Sequence, residues 1–141
     1  MSIDNIFGVA GSALSAQMVR MNVTASNMAN ASSTASSEAE AFKAKRPVFE
    51  ALLSEQQVSM GQNNLGGVKV SSIAADQAAH EQLYDPGNPN ADANGIVFLS
   101  NVNETGEMIE LMAAARSYQN NVEVINTARQ LMMRTLDITK V

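Results

Sequence analysis

A single histidine, His80, stands in a chain of 141 residues that has no cysteine. One imidazole can activate at most one nucleophile, and no G-x-S-x-G turn or comparable motif supplies that nucleophile. The plainer reading of His80 is a histidine on a helix or loop surface. A second candidate is NADANGIVFLSN at 90–101, where Asn90, Asp92 and Asn94 followed by Gly95 mimic the early positions of an EF-hand calcium loop. The loop's closing position is Asn101 where a bidentate Glu is needed, and its opening position is an amide where a carboxylate is usual. One side-chain carboxylate is too little charge for such a cation, so the segment reads as a turn held by Asx side chains. The basic cluster KAKR at 43–46 lies among Glu38, Glu40 and Glu50 and reads as a solvated strand or loop face. No catalytic residue, metal ligand or cofactor is expected, and the sequence reads as a protein that is not an enzyme.

The formal net charge of -5 and the pI near 4.7 argue against nucleic acid or anionic lipid as partner, because both require a cationic footprint. Without cysteine, disulfides, thiolate metal sites and cysteine nucleophiles are excluded. The opening MSIDNIFGVAGSALSAQ has Asp4 where a secretory signal would carry basic residues, and its first basic residue is Arg20, so no cleaved signal peptide is read. No stretch approaches the roughly 20 apolar residues of a membrane span.

The elements that must position any site are two long helices and a middle of different grammar. At the N-terminus Ile3, Phe7, Gly11, Leu14, Met18, Met21, Ala25 and Met28 are spaced four, four, three, four, three, four and three apart, a heptad seam. Only Asp4 and Arg20 carry charge before Glu38, so the face opposite the seam is Ser, Asn, Gln and Ala. At the C-terminus Met108, Leu111, Ala115, Tyr118, Val122, Ile125, Met132 and Leu136 keep helical spacing, with Arg129 interrupting the stripe. Asn101 and Glu104 suggest a capping box for a helix over 104–137, with Glu107 and Glu110 near its start and Arg129, Arg134 and Lys140 toward its end, as the helix dipole prefers. Between them, FKAKRPVFEALL, VKVSSIAAD and IVFLS read as short strands, and MGQNNLGG and YDPGNPNADANG as breaks. Asn94-Gly95 is a turn signal, but no strand pattern precedes it, so no hairpin is claimed there.

The chain has four Phe, two Tyr and no Trp, few of the bulky groups that supply most burial energy. Ordering two long helices on so thin a core is unfavourable unless several sides are buried at once. The stretch NVTASNMANASSTASS at 22–37, small and free of charge, suits that role: small side chains allow close approach, and nothing charged has to be desolvated. Asn27 or Asn30 is expected to end the helix near a left-handed cap. Six methionines, Met18, Met21, Met28, Met108, Met112 and Met132, lie on or beside the seams and read as packing residues able to fit slightly non-equivalent neighbours.

GSALSAQMVRMNVTASNMANASS, FKAKRPVFEALL, YDPGNPNADANGIVFLSNV and SYQNNVEVINTARQLMMRTL together resemble the bacterial flagellar basal-body rod proteins, those of the proximal rod in particular, over nearly the whole chain. The resemblance implies a structural subunit that assembles helically in the periplasmic rod, with further copies of itself, other rod proteins and basal-body adaptor proteins as partners. It also implies export through the flagellar type III apparatus without a cleaved signal, and terminal segments that are largely disordered in the monomer. The fold expected is mainly α with a small β portion. Residues 1–33 and 101–141 would pair as coiled-coil-like helices, and 34–100 would form a β-containing middle. The assembly interface expected comprises Ile3, Phe7, Leu14, Met18, Met21, Ala25, Asn27, Met28, Asn30, Met108, Leu111, Ala115, Tyr118, Val122, Ile125, Met132 and Leu136. ASSTASSEAEAF lacks the Pro and Gly residues that the family leads one to expect between the Asn-rich turn and the first strand, which leaves the path of 31–42 open. The competing reading is a soluble coiled-coil adaptor or secretion chaperone.

Overall fold

Residues 3–52 and 66–138 are described by the computed structural model, with the side chains of Ile3 and Asp4 left aside. Their order is α1 (Ile3–Ala29), β1 (Thr34–Ala35), β2 (Lys45–Ala51), β3 (Val68–Ala75), β4 (Gln82–Tyr84), β5 (Ile96–Leu99) and α2 (Glu104–Ile138). Two long helices thus flank a few short strands, as the sequence leads one to expect. The Gly-rich break at 60–67 lies mostly outside the described residues, and so does Lys140.

The helix ends depart from expectation in instructive ways. No non-glycine residue among those described has a positive φ, so α1 does not close with a left-handed asparagine. It tightens instead through Asn30 N–H to Asn27 O at 3.0 Å and Ala31 N–H to Met28 O at 3.2 Å, and Asn30 Nδ2 donates back to Ser26 O at 2.8 Å. The cap of α2 is Asn103 and not Asn101: Asn103 Oδ1 accepts from Gly106 N–H at 2.9 Å, and its carbonyl accepts from Glu107 N–H at 2.9 Å. Glu104 and Glu107 lie in the first turn, where the helix dipole favours negative charge, but the last described turn has no basic residue.

Two compact units account for the contacts. One comprises Arg20–Pro47 and Ile73–Met112. It contains the sheet β1-β5-β4, antiparallel throughout, with Thr34 opposite Leu99, and Gln82 and Tyr84 opposite Phe98 and Ile96. β4 and β5 are therefore a hairpin with a long loop, which the sequence reading did not claim. Only three residues long and exposed, β4 has no alternation of its own to read. β1 settles the path of 31–35, and Asn90 Nδ2 donates to Thr34 O at 3.1 Å to hold it. Val97, in the central strand, is fully buried, and Val23, Ala41 and Ala44 of the same unit are buried as well.

The other unit comprises Met1–Val19, Val48–Ser72 and Ala113–Val141. Its buried apolar residues, among those described, are alanines: Ala10, Ala16, Ala114 and Ala128. Ser12 Oγ donates to Val9 O at 2.8 Å and accepts from Val68 N–H at 3.1 Å, which fastens the start of β3 to α1. Both helices contribute residues to both units.

With few bulky residues beneath its helices, the alanine-lined unit has the weaker hold on its backbone. Hydrogen exchange on the isolated chain should show the amides of Leu99, of 23–29 and of 107–112 exchanging about 10-fold or more slowly than those of α1 before Val19 and of α2 beyond Ala113. Uniform protection along both helices would contradict this. At Gly95, φ is 77° and a Cβ would lie 3.0 Å from Tyr84 Cε2 and 3.1 Å from Pro86 Cβ. Gly95→Ala should therefore cost about 1 to 3 kcal/mol in urea unfolding.

Candidate assembly surface

A buried asparagine organises the junction of helices and strands. Asn27, 0% exposed, accepts from Lys45 N–H at 2.9 Å and donates to Lys45 O at 2.8 Å, an amide pairing with the strand much as a neighbouring strand would. The same Nδ2 donates to Glu107 Oε2 at 3.0 Å, and Glu107 is 3% exposed. Arg46 lies 3.7 Å from Glu107 Oε1 and 3.2 Å from Asp76 Oδ2. Asn101 completes the junction, its Oδ1 accepting from Ala44 N–H at 2.7 Å and its Nδ2 donating to Ala78 O at 3.0 Å. The KAKR cluster is thus partly committed: Arg46 bridges two carboxyl groups, and Lys45 sits 5.8 Å from the Phe42 ring centre. Arg20 pairs with Glu110 farther along the same helices.

Placement of the expected interface residues is mixed. Asn27 is buried, with both ends of its amide bonded inside the chain. Of Ile3 only the backbone is described. Phe7, Leu14, Met21, Met28, Asn30, Leu111, Ala115, Tyr118, Val122, Ile125 and Met132 are half-buried, and Met18, Ala25, Met108 and Leu136 are exposed. The buried helix positions, Ala10, Ala16, Val23, Thr24, Asn27, Glu107, Ala114 and Ala128, include several that sit one residue before a seam residue. One residue turns a helix by about 100°. The chain therefore buries a line of small side chains beside the seam, because small groups permit close backbone approach, and leaves large groups uncovered.

The sequence reading missed Ile109, Val124, Leu131 and Met133, all exposed. Met112, which it took for packing, is 60% exposed. Ile6, Val124, Ala128 and Leu131 line an apolar cavity of about 390 Å³. The seven-residue spacing of Val124 and Leu131 was the available signal, hidden because α2 carries apolar residues on more than one face. Among the described residues no helix is long and apolar enough to cross a membrane.

The EF-hand-like loop is an Asx-held turn. Asp92 Oδ1 accepts from Asn94 N–H at 2.8 Å and Ile96 N–H at 2.9 Å, which lowers its pKa from the ordinary 3.8, the Ile96 bond most of all. The pKa of Asp76 is also lowered, first by Ala78 N–H and then by Arg46. His80 is half-buried and not a surface side chain; its Nδ1–H donates to Leu99 O at 2.8 Å, which makes it part of the sheet's support.

Two family models match this arrangement at its helical ends. "Flagella basal body rod protein" covers residues 7–35, and "Flagellar basal body rod FlgEFG protein C-terminal" covers 93–138. Together they define a flagellar basal-body rod subunit. The chain is 46% identical over 138 residues to flagellar basal-body rod protein FlgC of Salmonella typhimurium, covering 98% of each, and 48% identical to that of Yersinia enterocolitica at the same coverage. A Buchnera aphidicola relative of the same name is 36% identical, again at 98% of each chain. The chain belongs to the FlgC family of rod proteins, and it is a structural component and not an enzyme.

Both carboxyl groups with lowered pKa add stability that is present above 3.8 and lost as pH falls through their still lower folded values. The Ile96 amide should therefore stay protected from exchange at pH 4.5 to 7 and lose protection only below about pH 3.8. Asp92→Ala should speed its exchange throughout pH 4.5 to 7, and an Ile96 amide indifferent to that change there would refute the turn's dependence on Asp92.

Proposed function

We propose that the chain self-assembles helically into the periplasmic part of the flagellar rod, the drive shaft of the motor. Further copies of itself, other rod proteins and basal-body adaptor proteins would be its neighbours. Residues 1–33 and 101–141 form the inner part of that shaft as paired, coiled-coil-like helices, and 34–100 the β-containing portion. The subunit travels through the flagellar type III export apparatus, a reading that rests on the family.

One observation carries the assembly reading. Large apolar side chains, Met18, Met108, Ile109, Met112, Leu131 and Met133, stand exposed on the two helices while alanines are buried. In a protein that worked alone this ordering would waste the chain's main source of burial energy. Covered by neighbouring subunits, the same side chains supply it, and methionines adapt to neighbours whose settings differ slightly. The interface proposed is the expected set without Asn27, extended by Ile109, Met112, Leu131 and Met133.

Because Met112 and Leu131 are 60% and 55% exposed, Met112→Asp or Leu131→Asp should change the stability of the isolated chain by about 0.5 kcal/mol or less. Each should nevertheless abolish rods in electron micrographs of basal bodies and arrest swimming. Complete rods built from either variant would refute the proposed interface. Sedimentation of the wild-type chain as a discrete helical dimer would favour the adaptor reading instead.

A further inference from the structure

The geometry points to Asn94 as a site of spontaneous modification, deamidation through its bond to Gly95, and to Asp92 as the residue that holds the reaction off once the turn has formed. Nothing in rod membership assigns such chemistry, and it does not depend on which residues meet across the rod. Asn94-Gly95 is the one Asn-Gly pair in the sequence. Deamidation begins when the backbone nitrogen of the following residue loses its proton to base and attacks the asparagine Cγ. An N–C bond forms, the Cγ–Nδ2 bond breaks, and ammonia departs from a five-membered succinimide. Water then opens the ring at either carbonyl, giving aspartate or an isoaspartate whose main chain is longer by one carbon. Water is consumed and ammonia released, with no oxidant or reductant. Glycine permits the closure because no Cβ hinders the rotation that brings its nitrogen onto Cγ. Asn94 is exposed, so water and base reach it.

The formed turn opposes each requirement. Gly95 N–H donates to Asp92 O at 3.0 Å, so the proton that has to leave is held. Asp92 Oδ1 accepts from Asn94 N–H at 2.8 Å and Ile96 N–H at 2.9 Å, which fixes the backbone on both sides of the reacting bond. The departing nitrogen is engaged as well, though weakly, since Asn94 Nδ2 donates to Asp92 Oδ2 at 3.4 Å. Gly95 is itself buried: its carbonyl accepts from Asp85 N–H at 2.9 Å, and Tyr84 Cε2 and Pro86 Cβ leave only 3.0 and 3.1 Å to a Cβ placed there. The rotation that glycine allows in an unformed chain is thus refused by packing. Reaction has to wait for local opening, and its rate falls with the fraction of time the turn is open. Modification before folding would cost the chain its hairpin end. The extra carbon of isoaspartate falls inside the loop closed by Asp92 N–H to Ile96 O at 2.9 Å, and it displaces Ile96 from its place opposite Tyr84.

Mass spectrometry of the peptide that contains Asn94 tests this on two samples incubated at the same mildly alkaline pH: purified basal bodies, and the full chain unfolded in guanidinium. The unfolded chain should lose Asn94 about 10-fold or more faster than the rod does. Basal bodies built with Asp92→Ala should lose it about 10-fold faster than wild-type ones. Asp92→Asn keeps the Oδ1 acceptor for Asn94 N–H and Ile96 N–H and should return the rate to that of the wild type. Three results would each overturn the inference: equal loss in rod and unfolded chain, an Asn94 that persists in the unfolded chain, or an Asp92→Ala rod as durable as the wild type. Should Asp92→Ala not enter the rod, Asp92→Ser takes its place; exclusion of both would also overturn it, since Asp92 would then serve assembly itself and not the protection of this bond.

Discussion

The side-chain amide of Asn27 is the constraint on which the β-containing unit depends. It offers Lys45 both a donor and an acceptor, as a strand would, and shares its remaining hydrogen with Glu107. No other side chain of that size and place would serve: an aspartate lacks the donor, a leucine would leave the Lys45 N–H without a partner, and an alanine would leave a cavity as well. Around it the other asparagines work alike. Asn101 ties Ala44 to the 76–78 turn, Asn103 caps α2, and Asn30 closes α1. Directional bonds from short, uncharged side chains do here what bulky packing does in aromatic-rich domains.

This explains why the opening of the chain is so poor in charge. A network of amides and hydroxyls can be buried at modest cost when every donor and acceptor finds a partner, whereas Lys or Glu at the same places would have to be desolvated. Glu107, the one acid buried among the described residues, receives Asn27 and faces Arg46. The segment 22–37 is therefore partly an interior for the chain's own β region, with Val23, Thr24 and Asn27 turned inward and Ala25 and Asn22 left outside.

Long-period patterns were legible in the sequence, and short-range choices between adjacent residues were not. α1 and α2 were evident because their apolar spacing persists over many turns; β2, β3 and β5 showed alternation or β-branched runs. β1 and β4 are two and three residues long and exist because β5 lies between them, a pairing between distant parts of the chain that no local window contains. Asn101 and Asn103 are both good caps, and only the backbone path decided between them. The seam was displaced for the same reason: where neighbouring stripes are both apolar or small, periodicity does not say which turns inward. Asn27 lay hidden in a run where Ser, Thr and Asn look alike.

The uncovered stripe follows from a division of labour between small and large side chains. Backbones approach closely only where side chains are small, so a chain that buries Ala10, Ala16, Ala114 and Ala128 must turn its larger groups elsewhere. Exposed apolar groups at this density mark a surface that meets another molecule. In the proposed rod assembly such a surface would have two tasks: to be sufficient when several neighbours cover it, and insufficient when none does, so that polymer and free subunit would differ in stability. An interior fastened by asparagines and an exterior of methionine, leucine and isoleucine would meet both, because the amide network keeps the β-containing unit in shape while the apolar burial would be left for the proposed assembly to complete.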